Sequence, residues 1–83
     1  MAAGEPRIAE LLEFVVRNLV DEPGAVEIAE KPGRRVTVYE INVARGDWGK
    51  VIGKEGRIAN AIRTLAKAAS TPLAQHIAVE IMT

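Results

Sequence analysis

The chain contains no cysteine, one histidine and only three aromatic residues, Phe14, Tyr39 and Trp48. Without cysteine, disulfides and thiolate metal sites are excluded, and a reducing compartment is the natural expectation. With His76 as the sole imidazole, a transition-metal centre has too few ligands, so no metal or other cofactor is expected. No Ser, Asp or Cys arrangement points toward His76, which reads as a structural or surface side chain. Unbroken apolar runs extend only a few residues, far short of the roughly 20 that cross a bilayer. The first residues lack a basic region followed by an apolar run, unlike a signal peptide. These absences together predict a cytoplasmic protein without a membrane partner. Acidic residues are plentiful, yet no pair of them is joined to a pocket-forming pattern. Neither catalysis nor a small-molecule substrate is expected.

The 83 residues leave room for one domain, spanning 1–83. A chain of this size buries only about 60% of the surface its unfolded form exposes, so its single core must be economical. The formal net charge is zero, but the charges are unevenly placed. Residues 45–70 carry Arg45, Lys50, Lys54, Arg57, Arg63 and Lys67 against Asp47 and Glu55, a local charge of +4. Residues 1–44 carry five basic and eight acidic side chains. A neutral chain with one basic quarter attracts a polyanion locally without adhering to every polyanion, although a solvated helix face has the same composition.

Pro6 occupies a position suited to the first turn of a helix, where its missing N–H costs nothing. Ile8, Leu11, Leu12, Val15 and Leu19 then recur at helical spacing, predicting a helix over 6–20 with Phe14 in the core. Asp21-Glu22-Pro23-Gly24 ends it. Ala25 to Glu30 reads as a short strand. Lys31-Pro32-Gly33-Arg34 reads as a type II turn with Pro and Gly at its second and third positions. A second strand follows over Arg35 to Val43. Its apolar phase shifts from Val36 and Val38 to Ile41 and Val43, the pattern of a bulge near Tyr39-Glu40. Asp47 is placed to cap one helical turn over 48–52. A longer helix runs from Arg57 to Ala69 with Ile58, Ile62, Leu65, Ala66 and Ala69 on one face, until Ser70-Thr71-Pro72 stops it. The last strand covers His76 to Met82. The order α-β-β-α-α-β joins the final two strands through helices, which makes them parallel. The expected fold is α+β, a three-stranded mixed sheet covered by helices on one face.

Gly46, Gly49, Gly53 and Gly56 punctuate eleven residues around Trp48, Val51 and Ile52. Gly53-Lys54-Glu55-Gly56 joins the short helix to the start of the long one. Its glycine ends permit unusual dihedrals and close approach by another backbone. A helix start also offers unpaired N–H groups and the positive end of the dipole, with Lys54 and Arg57 as counter-charges for a phosphate. Val51 and Ile52 supply an apolar wall for bases. A charged clamp beside such a wall suits an unstacked single strand better than a duplex, whose bases are hidden. Other glycine-rich signatures fail. A P-loop would need Gly at position 48, which is Trp, and Ser or Thr at 55, which is Glu; a dinucleotide fingerprint would need Gly at 51, which is Val. Arg45-Gly46-Asp47 matches an adhesion tripeptide, but a cytosolic chain gives it no receptor. Three aromatics are too few for the stacking platforms of RRM or OB domains. Trp48 fits either packing beneath the loop or the edge of the groove.

Val51-Ile52-Gly53-Lys54-Glu55-Gly56-Arg57-Ile58 resembles the signature of KH domains, a hydrophobic pair followed by Gly-x-x-Gly. The element order resembles the type II KH arrangement. More narrowly, Val51–Arg57 with Ala61-Ile62-Arg63-Thr64, in so short a chain, is similar to the KhpA family of small bacterial KH proteins. Trp48 stands where that pattern favours a smaller or unbranched residue such as Met, and Glu55 adds a negative charge to the loop. The resemblance implies that Gly53, Lys54, Glu55 and Gly56 contact a nucleic-acid backbone, that Ile52 lines the base groove, and that Arg57 and Ile58 begin the following helix. Lys50 is the neighbouring basic candidate. The family further implies an RNA-binding protein and RNA chaperone, acting with KhpB in cell-shape and cell-wall homeostasis.

Two functional expectations follow. One is a sequence-tolerant binder of about four nucleotides of single-stranded RNA per domain; the same loop chemistry also serves single-stranded DNA. The alternative is an interaction module whose partner supplies most of the RNA affinity. Ala61, Thr64 and Ala68 form a strip of small residues along the long helix, along which a second copy or KhpB could pack closely. An Ala-rich surface selected for helix propensity would look the same.

Overall fold

The computed structural model describes residues 6–73 and 75–83. The single-domain assignment over 1–83 therefore includes residues 1–5 and Ala74, which lie outside the described residues. In chain order the elements are α1 (Pro6–Arg17), β1 (Glu27–Pro32), β2 (Thr37–Asn42), α2 (Trp48–Ile52), α3 (Arg57–Ser70) and β3 (Ile77–Ile81). The sheet order is β1-β2-β3, with β1 antiparallel and β3 parallel to the central β2. This is the type II KH arrangement. Helix α1 packs on β1 and α3, α3 packs on β3, and α2 packs on α3. No described helix is long and apolar enough to cross a membrane.

The first helix is three residues shorter than its apolar periodicity implied. The Asn18 amide donates to the Phe14 carbonyl at 2.7 Å, taking up an acceptor at the helix end. The stripe it buries is Ile8, Leu12 and Val16, continued by Val20 just after the helix. That stripe differs from the expected face: Leu11 and Val15 are half-buried, and Leu19 is exposed. Phe14, expected in the core, is 68% exposed. Apolar residues cover more than half of this helix, so spacing alone could not choose which stripe faces the sheet.

Two expectations for the hairpin are corrected. Pro32 is the last residue of β1, paired with Thr37, and the connection is Gly33 to Val36, closed by the Gly33 N–H on the Val36 carbonyl at 3.0 Å. Gly33 does not adopt a positive φ, so it cannot be the third residue of a type II turn. The proline is tolerated because β1 is an edge strand. Nor is there a bulge. The register runs unbroken from Glu27↔Asn42 to Pro32↔Thr37. The inward phase of β2 is Thr37, Tyr39 and Ile41, leaving Val36 exposed. Tyr39 is fully buried and Thr37 accepts a hydrogen bond from Gln75, so two residues with polar groups occupy core positions that apolar counting assigns to their neighbours.

Ile77 and Val79 of β3 join this layer, as do Val51 of α2 and Ile62 and Ala66 of α3. Each large aliphatic side chain buried here contributes roughly 1.5–3 kcal/mol. On α3 the buried stripe is Ala59, Ile62, Ala66 and Ser70, while Leu65, expected inward, is 42% exposed.

Candidate nucleic-acid interface

Asp47 precedes α2, as expected, but its carboxylate does not cap that helix. It turns back to accept the backbone N–H groups of Asp21 and Glu22, at 3.2 and 3.1 Å. The residue is 2% exposed. It thus ties the segment after α1 to the start of the helix that carries the glycine loop. It also removes the acidic member of Arg45-Gly46-Asp47 from solvent. Trp48 is half-buried, with the Arg45 guanidinium 5.5 Å above its ring centroid, within range of a cation–π contact.

The loop that follows has three positive φ angles in four residues: Gly53 at 76°, Glu55 at 59° and Gly56 at 75°. Gly53 is further constrained by Ile58. A Cβ at Gly53 would lie 2.9 Å from the Ile58 backbone nitrogen and collide with its side chain. The chain therefore folds the loop directly against the first turn of α3. Glu55 is the non-glycine member of this left-handed corner, a conformation costing on the order of 1–2 kcal/mol. The Gly53 N–H closes α2 on Gly49, and the Gly56 N–H returns to the Gly53 carbonyl. The Arg57 N–H bonds Lys54. The N–H groups of Lys54 and Glu55 have no backbone acceptor among the described residues. A loop-tip pair of open donors is thus what the corner presents, rather than the whole first turn of α3.

The expected site residues fall into four groups. Lys54, Glu55 and Arg57 stand exposed together, with Glu55 and Arg57 loosely paired at 3.7 Å and each more than two-thirds exposed. Such a pair is worth little and is easily exchanged for a phosphate. Ile52 and Ile58 are half-buried and pack on the core, bracketing half-buried Gly53 and Gly56. Lys50 is engaged elsewhere, 3.4 Å from Asp21. The strip of Ala61, Thr64 and Ala68 is exposed along its length. His76 is exposed, next to Gln75 and Lys67 at the far end of α3.

The structure adds residues that the glycine pattern did not single out. Arg63 and Lys67, one helical turn apart on α3, line a hollow of about 180 Å3 whose other wall is Ile77, Ala78 and Val79 of β3. β3 is an edge strand. Thr37 donates to the His76 carbonyl and Met82 to the Ile41 carbonyl, so the even-numbered residues of β3 face β2. The N–H and C=O groups of Ile77, Val79 and Ile81 therefore point away from the sheet, toward the open edge. Arg63 reaches across with Nε 3.1 Å from the Val79 carbonyl, while Nη1 is 3.2 Å from Asn60 Oδ1. The sequence signal was present in the basic residues at 63 and 67, but only the parallel pairing of β3 shows what they face.

A family model for the KH domain of KhpA/KhpB matches residues 9–81. The chain belongs to the KhpA/KhpB KH-domain family. Within this non-enzymatic family, the RNA-binding protein KhpA of Caldanaerobacter subterraneus subsp. tengcongensis is 48% identical over 75 residues, covering 90% of this chain and all of that one. The RNA-binding protein KhpA of Chlamydia trachomatis is 45% identical, covering 88% of this chain and 94% of its own. Among solved structures, the KhpA-type fold superposes on Era of Aquifex aeolicus bound to GDP and AlF4−, with TM-score 0.59 and 25% identity over 90% of this chain. A second match is Era in complex with MgGDPNP and nucleotides 1506–1542 of 16S ribosomal RNA, with TM-score 0.58, 26% identity and 89% of this chain covered. The chain spans less than a third of either Era chain.

Proposed function

We propose that this protein binds single-stranded RNA along a path from the Gly53–Gly56 loop, beside α3, to the open edge of β3. The observation that carries the reading is the continuity of unlike chemistry along one helix. Open backbone donors and Lys54 meet the strand at the helix start; Arg63 and Lys67 follow at about 9 and 15 Å along the axis from Arg57. The first set suits phosphates, which fix position without reading sequence. The edge of β3 and its apolar side chains suit bases, since an unstacked base needs both a flat contact and hydrogen-bond partners. Both KhpA relatives carry the name RNA-binding protein, and one of the two Era structures holds a ribosomal RNA segment, which supports the same reading. A mostly backbone-directed grip tolerates many sequences, as an RNA chaperone in the cytoplasm requires. The roles in cell shape and cell wall implied by the family resemblance would act through the RNAs so held.

Replacing Lys54 and Glu55 together with Asp tests the assignment. RNA mobility in a gel-shift assay should become indistinguishable from free RNA, while the thermal midpoint stays within a few degrees. Undiminished binding by that variant sinks the proposal. Competition between RNA and DNA oligonucleotides of one sequence decides between the two polymers.

A second reading concerns the other flank of α3. Val15 and Leu19 of α1, with Ile58, Ala61, Ile62 and Leu65 of α3, line an apolar groove of about 190 Å3 beside the exposed small-residue strip. In this reading a second copy of the chain, or KhpB, packs along Ala61, Thr64 and Ala68, doubling the phosphate contacts available to one RNA. Ala61→Asp should halve the mass seen by light scattering if the protein is a homodimer. Co-purification with KhpB should fall likewise. Unchanged association in both assays would dispose of this interface.

A further inference from the structure

We propose that Trp48 is a base-stacking residue that adds one nucleotide to the RNA path, on the side of the glycine loop away from β3. The inference rests on the RNA-binding reading above, and it concerns a residue by which this chain departs from its family's pattern. Trp48 opens α2 and lies on the same helix side as Ile52, four residues later. The row from Ile52 to Trp48 therefore carries the apolar wall about 6 Å beyond the loop. The ground beside it is clear. Gly46 and Gly49 are exposed, and a Cβ at either would meet no atom within 4 Å. Neither takes a positive φ. Glycine is disfavoured in a helix relative to alanine, yet nothing in the chain's own packing uses the space at Gly49. A ligand's backbone can use it.

What covers the ring favours exchange. Among the described residues, the side chains that α2 gives to the core are Val51 and Ile52; Trp48 is half-buried outside that cluster. One face of its ring lies under the Arg45 guanidinium, 5.5 Å from the centroid. Arg45 is itself exposed, and its guanidinium has no hydrogen bond or ion pair among the described residues. A cation over an aromatic face at so solvated a site is held weakly. A base stacked on an aromatic side chain makes the stronger contact, and one indifferent to sequence. The base takes the ring face, and the freed guanidinium meets the phosphate of the same nucleotide. One contact within the chain becomes two with the ligand. Both suit the sequence-tolerant grip of the neighbouring loop, since neither reads a base edge.

The chain's single tryptophan is its own reporter. Tetrauridylate and hexauridylate, whose bases stack little among themselves, are titrated into the full chain at one salt concentration. Trp48 emission is followed together with the fluorescence anisotropy of labelled copies of each oligonucleotide. Tetrauridylate fills the path of about four nucleotides beside α3, whereas hexauridylate can also reach Trp48. The longer oligonucleotide should quench most of the emission and the shorter one much less. The second protein is Trp48→Met, which supplies the residue the family pattern favours here but no π face. Extra phosphates and binding registers favour hexauridylate equally in both proteins, so the change in the affinity ratio isolates the stacking. That ratio should fall about fivefold in Trp48→Met, with tetrauridylate binding nearly unchanged. Partial unfolding of the variant lowers both affinities and leaves the ratio intact. Hexauridylate binding without quenching, or a ratio that Trp48→Met leaves unchanged, overturns the role of Trp48 while RNA binding stands. Binding of neither oligonucleotide by the wild-type chain overturns the RNA reading and this inference with it.

Discussion

The two flanks of α3 differ more from each other than the helix's composition would lead one to expect. Toward β3, Arg63 and Lys67 line a hollow against the open backbone of an edge strand, and Asn60 accepts a hydrogen bond from Arg63, so this flank carries charge and hydrogen-bonding groups. Toward α1, the groove is lined by Val15, Leu19, Ile58, Ala61, Ile62 and Leu65, without a single polar side chain. Both hollows are similar in size. Size therefore says nothing about what each one takes. The difference lies in unsatisfied partners: the first flank holds donors looking for acceptors, the second only surface that water leaves at a gain. One helix can thus hold RNA on one side and protein on the other, and the two activities should be separable by mutation.

The largest separation is expected from removing charge along the proposed RNA path, at the loop and on the β3 side. Arg57→Gln with Lys67→Gln should weaken RNA binding on the order of tenfold and flatten the log–log salt dependence by about 1.4, as loss of two phosphate contacts on a single strand requires. The mass of the protein should not change. Equal salt slopes for the variant and the parent would place the RNA elsewhere.

A smaller effect sharpens the contrast between site and scaffold. Asp47 lies away from both flanks, yet it joins the segment after α1 to the start of α2 through two N–H bonds to one buried carboxylate. Asp47→Ala should cost about 2 kcal/mol in urea denaturation, the range for hydrogen bonds to a charged group. The RNA affinity of the remaining folded protein should change little. A loss below a few tenths of a kcal/mol would mean that water replaces those bonds freely.

The smallest expected effect is a gain. Glu55→Gly removes a left-handed non-glycine residue and a negative charge from the loop tip. Stability should rise by up to about 1 kcal/mol. RNA binding should tighten a few-fold, read by the same anisotropy titration. A weaker complex would mean that Glu55 itself contacts the ligand.

The glycine loop was legible in the sequence because its signal is local. Gly53 and Gly56 sit where positive φ angles are needed, and the long helix that starts at Arg57 follows from apolar spacing. The parallel pairing of β3 was legible too, since a helical crossover leaves little choice. What could not be read was any decision made by partners distant in sequence. Asp47 looks like a helix cap until Asp21 and Glu22 are brought beside it. Tyr39 and Thr37 take the inward phase of β2 although Val36 and Val38 are the more apolar pair. Phe14 faces outward because the stripe of Ile8, Leu12 and Val16 already fills the contact with the sheet. Arg63 read as one more charge on a solvated face, and only the register of β3 turned it toward a carbonyl.

The most direct measurement is an amide chemical-shift titration of the isotopically labelled full chain with a short single-stranded RNA. The account predicts that the resonances of Lys54 to Arg57, of Arg63 and Lys67, and of Ile77 to Ile81 move together with one dissociation constant, while Phe14 and Leu19 stay in place. Shifts confined to the α1-facing flank, with the loop and β3 silent, would contradict it.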